Sequence, residues 1–502
     1  LIQYVTWSGN VYDTEKDLQL KDFNSDLERS TMVGMFGRVA YNYKQKYFLS
    51  VTLRRDASSK FGENTRWGTF PSYAIAYTFS EEPYMDWARD FLDFGKIRLS
   101  YGKSGKQFEY PYFAFGVLIV NNIPFHGNQT ITPYWPNGLI NPKLSWEETK
   151  QFDAGLDLEF FGNRLSLELD YYYRYTDKLL AQVTLPGDYN AYTAQWQNAY
   201  AISNQGIELQ IKADLIRSEK LHWDFSFNIA RNWNRFEKSN NGMDFTNLAS
   251  KHNLNIIGKP LNGIYVYNDE GYYNSQDEVP LYYVNGRRKY LSSLGNQIYS
   301  PGDRRIQDVD GNGQVATMVP LLEDRVYGGS PLPLAFGGIA STLKWKGIDV
   351  NLLFSYKLGR HVLNAGRGAS VGTILRANTA EMMVPILADL DKVSFWQKPG
   401  DNTDFPINEL ENGKNNFATN LKSNVEKINY LKLKSISIGY ILPVFPKQSK
   451  HYARVFMSVE NVFTITNSSS PDPESIDIVT GVDSNNNYPL ATRFTLGLTL
   501  NL

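Results

Sequence analysis

The sequence reads as an all-β chain, a transmembrane antiparallel β-barrel with about 14 strands in its 502 residues. Three observations point there. Segments in which large apolar side chains alternate with polar ones recur along the whole chain. The connections between them switch in turn from short to long. No run of about 18 apolar residues occurs, which excludes helical crossings but not a barrel, whose inward side chains are polar. Aromatic residues make up 14% of the chain, with 33 tyrosines, enough to furnish the girdles that barrels place at the lipid interfaces.

Residues 164–176 are the plainest case. Leu165, Leu167, Leu169, Tyr171, Tyr173 and Tyr175 share one face, and Ser166, Glu168, Asp170, Tyr172, Arg174 and Thr176 the other. Strand side chains alternate with a period of two, so one face is greasy and one charged. In chain order, the strands expected are near 3–12, 32–43, 47–54, 71–80, 96–103, 147–160, 165–176, 207–212, 221–229, 335–345, 350–356, 427–441, 452–463 and 494–502. Within 427–441 the apolar column changes phase between Lys434 and Ile436, which predicts a bulge.

Short connections fall at 42–46, 161–164, 217–220, 346–347 and 443–450. Long ones fall at about 104–145, 177–201, 236–334, 359–425 and 464–489. One of intermediate length, 81–95, has apolar spacing that fits a short helix. Short turns at one end and long loops at the other are the arrangement of outer-membrane barrels, whereas a Greek-key sandwich mixes its loop lengths. The long loops are rich in aromatics. Tyr110, Trp135, Tyr192, Trp196, Tyr272 and Tyr273 are candidate substrate contacts, because flat rings bury area against sugars or peptides at low entropic cost. Packing of the loops against one another, or against a partner, accounts for the same residues equally simply. Alternation turns Arg54, Glu168, Asp170, Glu208, Lys212 and Asp224 toward the lumen, where polar side chains set pore selectivity or are merely tolerated by water.

Other chemistry finds little support. The 51 Lys and Arg against 52 Asp and Glu leave a net charge of -1, so nothing recommends a nucleic-acid partner. Cysteine is absent, which removes disulfides, thiol catalysis and thiolate metal sites. Gly368-Ala369-Ser370-Val371-Gly372 has the G-x-S-x-G spelling of a hydrolase elbow, but no helix pattern follows and His451 is the one downstream histidine. The chain is therefore read as no enzyme. Asp308, Asp310, Asn312 and Gly313 match the first half of a calcium loop, D-x-D-x-N-G. The twelfth position is Val319 rather than Glu, and Glu323 or Asp324 could serve only in a longer loop. A plain Asx and glycine turn is the alternative.

An ordered set of motifs runs along almost the whole chain. It comprises Leu53-Arg54-Arg55-Asp56-Ala57-Ser58-Ser59-Lys60-Phe61-Gly62, Arg66-Trp67-Gly68-Thr69-Phe70-Pro71-Ser72, Ser80-Glu81-Glu82-Pro83 and Lys96-Ile97-Arg98-Leu99-Ser100-Tyr101-Gly102. Further along come Asn141-Pro142-Lys143-Leu144-Ser145-Trp146-Glu147, Asn204-Gln205-Gly206-Ile207-Glu208, Pro301-Gly302-Asp303, Asp308-Val309-Asp310-Gly311-Asn312-Gly313, Gly329-Ser330-Pro331-Leu332-Pro333 and Asp472-Pro473-Glu474. This set resembles the SusC/RagA family of TonB-dependent outer-membrane transporters of Bacteroidota, and three positions depart from the family's usual spelling: Lys106 in place of Asn, Gln205 in place of Lys, and Leu502 in place of a terminal aromatic.

The resemblance implies a barrel of about 22 strands, an N-terminal plug, and a TonB box that couples import to the inner membrane. This chain then supplies the C-terminal part of the barrel, and the plug, TonB box and earlier strands are expected before Leu1. It further implies membrane lipid around the wall, a SusD-like surface lipoprotein as lid, a dimer of transporter–lid pairs, and plug contacts for the inward charges. The function implied is import of oligosaccharides or oligopeptides with no cofactor required, calcium in the Asp308 loop being the one candidate. The alternative reading is a barrel that displays loops for surface binding or adhesion without active transport.

Overall fold

The computed structural model describes residues 29–111, 139–185, 194–239, 252–315, 324–366, 394–407, 419–443, 452–484 and 488–501, with one- and two-residue gaps at 285 and 294–295, and shorter stretches near 2–6, 22–26, 113–134 and 245–246. A 14-stranded sheet dominates, and all but one of its members form an antiparallel meander in chain order. Its first strands are β1 (Met32–Tyr43), β2 (Tyr47–Ser58), β3 (Trp67–Thr78), β4 (Leu92–Lys106) and β5 (Glu147–Phe160). Then come β6 (Leu165–Thr184), β7 (Ala194–Arg217), β8 (Leu221–Lys238) and β9 (Ala335–Trp345). β10 (Ile348–Asn364), β11 (Val425–Leu442), β12 (Tyr452–Thr466) and β13 (Arg493–Asn501) complete it. Among the described residues β1 pairs only with β2 and β13 only with β12, so the sheet is an open arc. The remaining member, Val482–Asp483, lies parallel to the end of β10.

Register turns the alternation into two walls. Asn42, Phe48, Ala76, Arg98, Gly155, Asp170 and Glu208 are successive partners from β1 to β7, and their immediate neighbours Tyr41, Leu49, Ile75, Leu99, Ala154, Tyr171 and Ile207 form the next row. Opposed residues point the same way across a sheet, so the first row belongs to the charged face and the second to the apolar face. The apolar face stays exposed along β1 to β4, as a lipid-facing wall does.

Tight turns close one end. Lys44 and Gln45 between β1 and β2, and Lys346 and Gly347 between β9 and β10, all have positive φ, the primed geometry whose twist matches the strands it joins. Residues 79–91 between β3 and β4 hold two 3-10 segments, Phe79–Glu81 and Pro83–Ala88, at the place where a short helix is expected. The expected bulge is present too: Leu353 faces Ser435 while Phe354 faces Leu433, leaving Lys434 unpaired in the ladder.

Three features differ from expectation. Ile2–Thr6 pairs with Asp22–Asp26 as a separate ribbon, not as a stave of the arc. β6 and β7 run well into the region expected as a loop from 177 to 201, because a bulge near Lys178 (φ 59°) shifts the phase and hides the continuing strand from a strict period-two reading. Ser59–Arg66 is a short connection on the long-loop end, tightened by the 3-10 turn Glu63–Thr65.

The loop after β8 is a folded unit with its own core. Tyr267, Tyr273, Val279, Leu291, Tyr299, Ile306 and Val315 are buried together, joined by Leu421 from the connection before β11. Small sheets such as Gly263–Tyr267 against Arg325–Gly329 tie the segment up.

Candidate functional site

The inward wall carries an ion network. Arg98 on β4 donates through Nε to Asp157 Oδ2 (2.8 Å) and through Nη2 to Asp157 Oδ1 (2.7 Å) and Asp170 Oδ1 (3.0 Å). It reaches both strands because its partner Gly155 has no side chain, and a Cβ there would press into the guanidinium at 2.6 Å. Glu208 continues the row beside Asp170, solvent-exposed on the inward face. Lys212 Nζ lies 3.8 Å from Glu168. Asp224 Oδ1 lies 2.9 Å from His222 Nε2 and Asp224 faces Asp214 across the β7–β8 ladder. Arg54 donates to Asp56 (2.6 Å) near the top of β2. The six residues singled out by alternation thus all stand on the charged face. Arg98 and Asp157 were missed by sequence reasoning, although Arg98 lies inside a quoted motif.

Above the wall, distant motifs converge. Phe61, Phe70, Phe108, Leu144 and Trp146 are buried together, with Phe113, Leu180 and Trp196 packed on them. Trp146 Nε1 donates to the Arg66 carbonyl (2.8 Å), and Thr65 Oγ1 to the Leu144 carbonyl (2.5 Å). Tyr110 sits at the edge of this knot, 5.9 Å from Trp196 and 45% exposed, so it presents a ring to solvent. Trp135 and Tyr192 lie outside the described residues.

Tyr272 lines a cleft of about 520 Å³ with Asp269, Arg304, Thr403, Asp404 and Phe405. Its hydroxyl donates to the Thr403 carbonyl (3.1 Å), and the Arg304 guanidinium lies 5.6 Å from its ring while paired to Asp269 (3.0 Å). This is a mostly polar recess with one aromatic wall. Tyr273, by contrast, is buried in the loop core beside Tyr299, and burial raises its phenol to about 12. Its ring is not offered to a ligand; its role is packing.

A second loop is latched to the wall. Arg360 of β10 is fully buried and donates to the carbonyls of Pro331 (2.9 Å), Ile476 and Asp477. Buried Lys432 of β11 holds Asp472 and Glu474, each at 3.0 Å, and Lys434, freed by the bulge, reaches Glu474 at 2.8 Å. Burial pushes both carboxylates up, but hydrogen bonds outweigh it, from Lys432 and the Glu474 and Leu490 amides for Asp472 and from Lys434 and Lys432 for Glu474, and leave both below their ordinary range.

Among the described residues two clusters could hold a metal ion: Asp308, Asp310 and Asp324, and Asp214, His222 and Asp224, the ligand atoms of each lying within 4.8 Å of one another. In the first, Asp308 also accepts from the Gly311 and Gly313 amides (both 2.8 Å) and Asp310 from Asn312 Nδ2 (2.7 Å), while Asn312 Oδ1, the atom that would ligate an ion, accepts from the Gln314 amide (2.7 Å). Asp324 is the residue that completes the group, from the longer loop that spacing alone required. The G-x-S-x-G segment lies outside the described residues.

A meander of long strands, apolar outside and charged inside, with tight turns at one end and folded loops at the other, defines an outer-membrane β-barrel. Residues 3–365 match the family described as TonB dependent receptor-like, beta-barrel. The chain is 30% identical over 505 residues to TonB-dependent receptor P3 of Formosa agariphila, covering 95% of this chain and 46% of that protein. It is 27% identical over 504 residues to TonB-dependent receptor SusC of Bacteroides thetaiotaomicron, covering 96% and 45%. The fold superposes on the structure of the RagAB peptide transporter with a TM-score of 0.71 at 22% identity, over 97% of this chain and 50% of that one. The chain belongs to the TonB-dependent receptor-like β-barrel family, and its similarity is to the SusC/RagA-type members of it. It spans about half the length of these relatives.

Proposed function

We propose that the protein to which this chain belongs imports oligopeptides or oligosaccharides across the outer membrane, with a SusD-like lipoprotein as lid and TonB as the source of work. No bond is made or broken in this reading. The observation that carries it is the inward wall, where Arg98, Asp157 and Asp170 join three strands in one charged band facing the enclosed space. A wall of this kind suits a movable polar plug better than a dry core, because partly hydrated ion pairs exchange partners at small cost. The aromatic knot near Tyr110 and the cleft beside Tyr272 are the ligand-contacting surfaces in this reading. The named relatives include a peptide transporter and SusC, and the polar cleft accommodates either class of substrate.

The test is uptake of a fluorescent oligopeptide or oligosaccharide library by cells carrying the intact gene, with and without TonB. Loss of uptake on deleting TonB is the expected outcome. Binding at the surface that persists unchanged, with no TonB-dependent entry, would instead establish the display or adhesion reading.

For the Asp308 cluster we propose calcium, since three carboxylates are hard oxygen donors. Calorimetric titration of the full protein should show calcium binding that Asp324→Asn abolishes, and a flat titration with native protein sinks the assignment.

A further inference from the structure

At the tight-turn end one connection is more than a turn. Residues 79–91 fold back against the outward face of the wall and clasp it at two places. Tyr84 Oη meets Tyr77 Oη at 2.8 Å, and Tyr47 Oη donates to Glu82 Oε1 at 2.9 Å. Tyr47 and Tyr77 are register partners on the apolar face, their rings stacked 5.0 Å apart. At the other end Phe91 stacks on Phe160 (6.5 Å), which faces Leu165 on that same face, and Trp87 leans on Phe91 (5.9 Å). The clasp therefore reaches from β2 to β5 on the outside of the arc. Its tips are bare: Trp87 is 72% exposed, Tyr84 60% and the adjacent Phe161 58%.

Three neighbouring bare aromatics are unfavourable in water and favourable at a headgroup boundary, where a ring can be apolar on one side and wet on the other. We propose that residues 83–91, with Phe161, insert into the periplasmic phospholipid leaflet as an interfacial anchor that sets the depth of β2–β5. Phospholipid is the occupant because the patch continues the lipid-facing wall without a break through Tyr77 and Phe160. The polar side of the segment agrees, since Asp86 and Arg89 pair at 2.8 Å and stay open to the headgroup layer. The connection is thus part of the membrane contact, not a loop hanging in the periplasm.

These 502 residues hold no cysteine, so in the full-length protein, with any cysteine outside them replaced by serine, Trp87→Cys gives a single attachment point for an environment-sensitive fluorophore. In phospholipid nanodiscs, lipids spin-labelled just below the headgroup should quench this label about twofold or more, and aqueous iodide should quench it weakly. The same label at Tyr283→Cys, in an exposed hairpin of the extracellular loops, should show the reverse. Native protein compared with Trp87→Phe, without any label, should show a matching loss of the emission that brominated lipids quench. Equal iodide quenching at both sites would place Trp87 in water and overturn the proposal. Quenching by neither agent would place it under protein and overturn the proposal as well.

Discussion

Single residues hold the inward wall together in ways that differ in cost. Arg98 bridges two carboxylates that are each partly solvated, so Arg98→Met should lower stability by only about 1 kcal/mol. Its larger effect should be on what the wall binds, since Asp157 and Asp170 would be left facing each other without a cation. Chemical unfolding of the full protein beside an uptake assay separates the two, with a small shift of midpoint and a large loss of uptake expected. Lys432 is the opposite case. It is buried between Asp472 and Glu474, so Lys432→Met strands charges away from water and should cost about 3–5 kcal/mol of local stability. Faster hydrogen exchange confined to residues 470–482 is the expected readout. How far such residues could be read from sequence depended on their backbone. Glu168 and Asp170 were legible because alternation is strict there. Arg98 was passed over because Lys96, Arg98 and Ser100 read as a weak column, and nothing local says that Gly155 opens a path across two strands. Arg360 was invisible, because its partners are carbonyls of residues about 29 and 117 positions away.

Among the elements, the latched loop and the extended strands show how tertiary context overrides pattern. The carboxylates of Asp472 and Glu474 sit below their usual range in the folded chain, so their pairing stabilises the loop at any pH above that range. The stabilisation is lost as pH falls through the depressed values, and below them both groups are protonated in folded and unfolded states alike. The opening free energy of residues 464–484, taken from hydrogen exchange after correction for the intrinsic pH dependence of amide exchange, should therefore be flat from neutrality down to about pH 4 and fall below it. A fall above that range would contradict the ion-pair account. The bulge at Lys434 was legible because the apolar column changed phase within one segment. The bulge near Lys178 was not, because beyond it Leu179, Leu180, Ala181 and Val183 put apolar side chains on both faces and no period-two column resumes. Tyr273 failed as a candidate contact for a related reason: a long loop can fold a core of its own, and tyrosine serves a core as readily as a surface.

For the molecule as a whole, strand length against bilayer thickness decides what is wall and what is vestibule. The outward column from Leu165 to Tyr175 spans 11 residues of β6, and at about 3.4 Å per residue and a tilt near 40° it rises roughly 28 Å, close to the apolar band of an outer-membrane barrel. The part of β6 beyond Tyr175, and the matching start of β7, must then stand clear of the lipid by about 20 Å. That is the level at which Leu180, Trp196 and Trp146 gather, so the knot of aromatics belongs to an extracellular collar continuous with the barrel wall. Folding into lipid should report this geometry as a depth profile. Leu169→Arg, near the middle of the column, should destabilise the full barrel by about 2–4 kcal/mol in vesicles. Gln182→Arg, on the collar, should change it by less than about 0.5 kcal/mol. Both residues are exposed on the same strand, Leu169 in the lipid-facing column and Gln182 opposite Trp196 beside the aromatic knot, so lipid contact is what the first substitution disturbs and the second does not. If both substitutions cost the same, the membrane does not end near Tyr175, and the collar would have to be redrawn as part of the transmembrane wall.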